Sequence, residues 1–147
     1  MNKVCLVTGS SKGIGAFCIK EFAKNGYNVV INYFNNEVAA NFLKEEVERE
    51  YGIKALVIKC DVSNELEVKN MVEAIINYFG RIDVVVNNAG IAIDTIFDDK
   101  TKDNFMKILE VNLIGTFLVS KEVGKYMMNH NYFNKHINIG VLTQWMN

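Results

Sequence analysis

Thr8-Gly9-Ser10-Ser11-Lys12-Gly13-Ile14-Gly15 joins a short apolar run, Val4-Cys5-Leu6-Val7, to a stretch with helical periodicity that begins at Gly13. The run before it is β-branched and continuous, which reads as a buried strand. Glycine at a strand-to-helix turn permits backbone angles closed to other residues and lets a ligand come close. The free N–H groups at a helix N-terminus, together with the helix dipole, favour an anion there. Gly15 is expected to let the helix pack near the strand. A turn of this kind at the start of a βαβ unit predicts the pyrophosphate of a dinucleotide as its ligand. Gly9, Ser10, Ser11, Lys12, Gly13, Ile14 and Gly15 are therefore candidate cofactor-binding residues. A Walker-type phosphate loop is excluded, because no Gly-Lys-Ser/Thr follows at the required spacing.

Outward from that turn, strand and helix patterns alternate. The first helix is expected over Gly13 to Asn25, with Phe17, Phe22 and Ala23 on its buried side and Gly26 stopping it. Val29-Val30-Ile31 is the second strand. From Asn36 to Tyr51, Ala39, Phe42, Leu43 and Val47 recur at helical spacing, and Gly52 closes the helix. Ala55-Leu56-Val57-Ile58 is the third strand. Ser63 is the expected cap of a helix that buries Val68, Met71, Val72, Ile75 and Phe79 and ends at Gly80. Val84-Val85-Val86 is the fourth strand. A long helix is expected from Thr101 to Asn129, and Ile137-Asn138-Ile139 is the last strand. Apolar strands separated by amphipathic helices predict an α/β fold, a Rossmann-type doubly wound parallel sheet. With no linker, repeat or low-complexity segment, residues 1–147 are expected to form a single dinucleotide-binding domain.

Composition narrows the function classes. Half of the 147 residues are apolar, 22% are charged and the formal net charge is -1. Such a chain has no basic excess to draw it to nucleic acid or an anionic membrane, so neither partner is expected. No apolar run is long enough to span a bilayer, and the N-terminus lacks the pattern of a secretory signal. A cytoplasmic location is expected. Cys5, Cys18 and Cys60 show no metal-ligand spacing and read as free thiols; His130 and His136 have no evident carboxylate or thiol partner. No metal is expected.

The turn has the spacing Gly-x-x-x-Gly-x-Gly, and with four further segments it resembles the short-chain dehydrogenase/reductase family. Asp61-Val62 follows the third strand, where the family holds the adenine ring. Asn87-Asn88-Ala89-Gly90 matches the family's internal motif after the fourth strand. Asn112, within Val111-Asn112-Leu113-Ile114-Gly115-Thr116, matches the helix asparagine of the family's catalytic tetrad. His136-Ile137-Asn138-Ile139-Gly140 resembles the strand that leads to the catalytic serine. The resemblance implies cofactor contacts at Asp61, Val62, Asn88, Ala89 and Gly90, and a catalytic role for Asn112, which in the family bends its helix around a water of the proton relay. Each residue has a simpler reading as well. Asp61 can be a cap carboxylate beside Ser63, Asn88 can belong to an Asn-Gly-type turn, and Asn112 can be a satisfied structural asparagine.

The cofactor expected is NADP rather than NAD. NAD-selective sites place a carboxylate at the end of the second strand for the ribose 2′-OH. Here that region is Asn32-Tyr33-Phe34-Asn35-Asn36, with no acid until Glu37. Lys12 is available to pair with a 2′-phosphate, or is simply a solvated lysine.

The pattern stops near the end of the chain. The family carries out its proton transfer with a tyrosine and lysine spaced Tyr-x-x-x-Lys, and orients the substrate oxygen with a serine. The 147 residues contain no Tyr-x-x-x-Lys, and the position matching the serine, after Gly140, is Val141. The tail from Val141 to Asn147 is unlike the family, which suggests a frameshifted or early-ended reading frame and a sheet incomplete after its fifth strand. The family's homo-oligomer contact is built by the long helix and the one bearing Tyr-x-x-x-Lys, so assembly of that kind is not expected from these residues alone. Similarity as a whole is greatest to bacterial 3-oxoacyl-[acyl-carrier-protein] reductases. It implies hydride transfer from NADPH to a β-keto thioester carried on acyl-carrier protein in a full-length form, with this chain keeping the cofactor half. The rivals are a catalytically inactive dinucleotide-binding module and a non-functional fragment.

Overall fold

The computed structural model of the chain describes residues 2–93, 96, 99–129 and 135–138. Its strands are β1 (Val4–Val7), β2 (Asn28–Tyr33), β3 (Ala55–Lys59), β4 (Val84–Asn87) and β5 (Lys135–Asn138). The helices are α1 (Gly13–Lys24), α2 (Glu37–Tyr51), α3 (Glu65–Phe79), α4 (Lys102–Leu109) and α5 (Thr116–Asn129). All five strands are parallel, in the order β3-β2-β1-β4-β5, which is the doubly wound arrangement predicted. Ile139, Gly140, Val141 and the tail to Asn147 lie outside the described residues, as does His130.

The continuous apolar strands are explained by burial on both faces. Side chains alternate along β1: Val4 and Leu6 pack toward α3 and α5, while Cys5 and Val7 pack toward α1 and α2. On β2, Val30 joins the first layer and Val29 and Ile31 the second; on β4, Val85 faces one way and Val84 and Val86 the other. Burying a Val or Leu side chain of this kind contributes about 1.5–3 kcal/mol, so these strands are the stable centre of the fold. At the foot of β4, the buried Asp83 carboxylate accepts from the Val4 backbone N–H at 2.8 Å and from both Arg81 Nε and Nη2, tying β4 to β1.

Two helix faces and one helix cap differ from expectation. α3 buries Val68, Met71, Val72, Ile75 and Phe79 as its periodicity predicts. In α1, however, the buried residues are Gly15, Ile19 and Ala23, and Phe17 is exposed. In α2 they are Ala40, Leu43 and Val47, and Phe42 is exposed. Both helices carry apolar residues on more than one face, so spacing alone admits two rotations about the axis. Asn64, not Ser63, caps α3: its Oδ1 accepts from the N–H groups of Leu66 and Glu67 at 3.1 and 3.2 Å. Ser63 instead donates to Asp61 Oδ1.

The long helix expected from Thr101 to Asn129 is interrupted. Between α4 and α5, residues Glu110–Gly115 form a wider, π-type turn. Such turns are rare and occur often at functional sites. Asn112 lies in its middle.

Candidate dinucleotide site

The C-terminal ends of β1, β2, β3 and β4 frame a crevice of about 540 Å³. The chain forms it there because β1 is the strand flanked by both halves of the sheet, the point where strand order reverses. Of the predicted residues, Gly9, Ser11, Lys12, Gly13, Asp61, Val62, Asn88, Ala89 and Gly90 line it.

The turn between β1 and α1 depends on its glycines. Gly9 has φ +61°, and a Cβ there would lie 2.7 Å from Ala89 Cα, so the loop after β4 sits directly against it. Gly13 has φ +60° with open space around it, so its requirement is conformational alone. The first intrahelical bond of α1 runs from the Ala16 N–H to the Lys12 carbonyl. The N–H groups of Gly13, Ile14 and Gly15 thus have no acceptor within the helix, as an anion site at a helix start requires.

The same turn is pinned from the other side of β1. Thr8 Oγ1 accepts from the N–H groups of both Asn88 and Ala89, each at 3.0 Å. Asn88 Nδ2 donates to the carbonyls of Thr8 and Gly9 at 2.9 and 3.1 Å. Asn88 therefore serves the site by holding two loops together, and the simple Asn-Gly turn does not describe it.

Ser10, expected as a cofactor contact, is not among the residues of the crevice wall. Its side chain is fully buried, its hydroxyl donates to the Val7 carbonyl at 2.8 Å, and its N–H donates to the Asn32 carbonyl at 2.8 Å. Its neighbour Ser11 faces the crevice instead. Ile14 is largely exposed on the first turn of α1, and Gly15 is buried beneath the loop against Asn88 and Ser10.

Asp61 is not the cap of α3, a place that Asn64 takes. It lines the crevice, and its Oδ1 accepts from the Ser63 N–H and hydroxyl at 2.9 and 2.7 Å. Beside it, burial above all, and then the Glu67 and Asp61 carboxylates, push the Cys60 thiol up to about 12. Cys60 is thus a neutral wall of the crevice, not a thiolate nucleophile.

Asn112 is held as a structural asparagine would be. Its Oδ1 accepts from the Ile91 N–H at 2.8 Å and its Nδ2 donates to the Ile91 carbonyl at 3.0 Å, which locks the π-type turn to the segment after Gly90. Its backbone carbonyl accepts from the Thr116 hydroxyl at 3.0 Å. Within the same turn Gly115 lies against Val62, where a Cβ would approach Val62 Cγ2 to 2.7 Å.

Residues that the sequence did not single out as contacts also shape the crevice. Tyr33, Phe34, Asn35 and Asn36 supply the β2 side, Ile91 and Val111 the side near the π-type turn. Asn32, quoted only for its lack of charge, is buried at the centre of the site. Burial, and then the Glu37 carboxylate beside it, push the Tyr33 hydroxyl above its ordinary range. Glu37, the first acid after β2, is thus set against Tyr33 and is not part of the crevice wall.

Residues 3–140 match the family model described as short chain dehydrogenase. The chain belongs to the short-chain dehydrogenase/reductase family. An uncharacterised oxidoreductase of Methylorubrum extorquens is 37% identical over 125 residues, covering 85% of this chain and 50% of that protein. A 3-oxoacyl-[acyl-carrier-protein] reductase of Staphylococcus epidermidis is 35% identical over 128 residues, covering 87% of this chain and 52% of its own length. Among solved structures, NAD+-bound xylitol dehydrogenase superposes with a TM-score of 0.85 at 34% identity, covering 92% of this chain and 52% of that one. The chain spans about half the length of the curated relatives it matches. This short-chain family binds nicotinamide dinucleotides, and the residues present fit one: two positive-φ glycines in the turn, N–H groups at the start of α1 with no acceptor within the helix, and an acceptor just beyond β3. Such a cofactor supplies a transferable hydride.

Proposed function

We propose that this chain is the cofactor-binding part of an NADP(H)-dependent short-chain reductase. The observation that carries the reading is the lining of the crevice on its β2 side. Asn35, Asn36 and Lys12 all line the crevice, and among the described residues of its wall the one carboxylate is Asp61, beyond β3. An amide-and-lysine wall accepts a 2′-phosphate dianion, whereas a carboxylate would repel it. Titration of the chain with NADPH and NADH, followed by cofactor fluorescence, tests this. NADPH is expected to bind about tenfold more tightly, the worth of one charge-assisted contact, and Lys12→Glu to remove the preference. Equal affinities, or tighter NADH binding, would overturn it.

The reaction we assign to the whole protein is reduction of a 3-oxoacyl group carried on acyl-carrier protein. Support comes from the sequence resemblance and from the Staphylococcus epidermidis reductase among the relatives. A second reading, a dinucleotide-binding module without turnover, is favoured by one specific observation: the residue after Gly140, where the family's serine is expected, is Val141. NADPH binding with no oxidation of NADPH on adding a β-keto thioester favours the module. Homo-oligomeric assembly is proposed for the full-length form alone, with the exposed apolar side chains Leu113, Ile114 and Phe117 of the π-type turn and α5 as part of its contact. No helix among the described residues is long and apolar enough to cross a membrane.

A further inference from the structure

Asn32 is the next-to-last residue of β2, a parallel strand whose other residues are apolar or aromatic apart from Asn28, and it is 1% exposed. A buried primary amide needs partners for one acceptor and two donors. Asn32 finds them on two different strands. Its Oδ1 accepts from the Gly9 N–H at 2.9 Å, in the turn after β1. Its Nδ2 donates to the Cys60 carbonyl at 3.1 Å, just beyond β3, with longer contacts to the Ile58 and Tyr33 carbonyls at 3.4 Å. Its own carbonyl accepts from the Ser10 N–H. One residue therefore spans from the Gly-rich turn, at the phosphate end of the crevice, to Cys60 and Asp61 at its β3 end.

We propose that Asn32 is a positioning residue of the dinucleotide site, its side-chain amide fixing the Gly9 turn relative to the end of β3 and so setting the separation of the phosphate and adenine halves of the crevice. The inference rests on the dinucleotide reading above. No other side-chain hydrogen bond links these two segments among the described residues. An ionised carboxylate in this place accepts from Gly9 but cannot donate to Cys60, and it brings a negative charge under the phosphate turn. A protonated carboxylic acid restores both contacts, because its carbonyl oxygen accepts and its hydroxyl donates. Burial raises the pKa of such a carboxyl, so the protonated form is reached at mildly acidic pH.

The test is NADPH titration of the wild type, Asn32→Asp and Asn32→Ser between pH 5.5 and 8.5, with thermal unfolding of each cofactor-free sample. Asn32→Asp is expected to bind about tenfold to a hundredfold more weakly than the wild type at the alkaline end, the effect of one lost buried donor contact and one added charge. The ratio to the wild type should close toward one as pH falls. Asn32→Ser, too short to span the two segments, should be weakened by a ratio that does not change with pH. A folded Asn32→Asp with wild-type affinity at alkaline pH overturns the proposal, as does the same pH profile in both variants. Both variants unfolded without cofactor would make Asn32 architectural only and overturn it too. Failure of the wild type to bind NADPH sinks the dinucleotide reading itself, and this inference with it.

Discussion

Gly15→Ala is expected to lower the thermal midpoint by roughly 10 °C and to abolish dinucleotide binding. A Cβ at this position would lie 2.5 Å from Asn88 Nδ2, 2.7 Å from Ser10 Cα and 2.9 Å from the Gly9 carbonyl oxygen. Two of these atoms are backbone, so no side chain can swing aside. The first turn of α1 must move away from the loop, carrying with it the N–H groups that face the crevice. Overpacking a tight contact costs about 1–3 kcal/mol, and at this chain length about 3 kcal/mol corresponds to a shift of roughly 10 °C. Gly13→Ala is the control. It has the strained φ of +60° but open space around the site, so a loss of about 1 kcal/mol is expected from backbone strain alone. Thermal unfolding and NADPH titration of the two variants check the contrast. A Gly15→Ala protein with wild-type midpoint and affinity would contradict the packing described for the turn.

Thr8→Val should be at least as damaging despite its matched shape. The hydroxyl oxygen is the shared acceptor for the N–H groups of Asn88 and Ala89, and the residue is 1% exposed. Valine leaves both donors without that acceptor, at about 1–3 kcal/mol each, so a loss of about 2–6 kcal/mol is expected. The segment after β4 loses its fix on the turn, and dinucleotide affinity falls with it. Thr8→Ser retains the acceptor and should remain close to the wild type in both denaturant unfolding and titration. A valine variant close to the wild type, with the loss confined to the serine variant, would show that the methyl group, not the hydroxyl, matters.

The fold was legible because its signals are local. A strand of four apolar residues, a turn with glycines at required positions and a helix stopped by glycine can each be read within a dozen residues. The face of α3 was legible for the same reason, since its apolar residues form one stripe. Phe17 and Phe42 were misplaced because α1 and α2 carry apolar side chains on more than one face, and only the neighbouring strands decide which is covered. Ser10 and Ser11 are chemically alike in sequence, and only the folded turn, with Val7 and Asn32 as partners of Ser10, determines which points inward. The least legible part was the bracing of the site. Asn88 joins to Thr8 across 80 residues, and Asn32 to Gly9 and Cys60 across 23 and 28. Such pairs have no spacing to announce them. Asn112 was noticed for the oddity of an amide in an apolar helix, but its partner, Ile91, and the π-type turn around it emerge only from the packing.

Amide hydrogen exchange of the chain with and without NADPH tests the central claim most directly. The account predicts new protection at the amides of Gly13 to Gly15, at Asp61 and Val62, and at Asn88 to Ile91, with little change elsewhere. Protection confined to the separate groove of about 400 Å³ between α3 and α5, lined by Lys69, Val72, Ile76 and Tyr126, would contradict it. So would a chain whose exchange is unaltered by saturating NADPH.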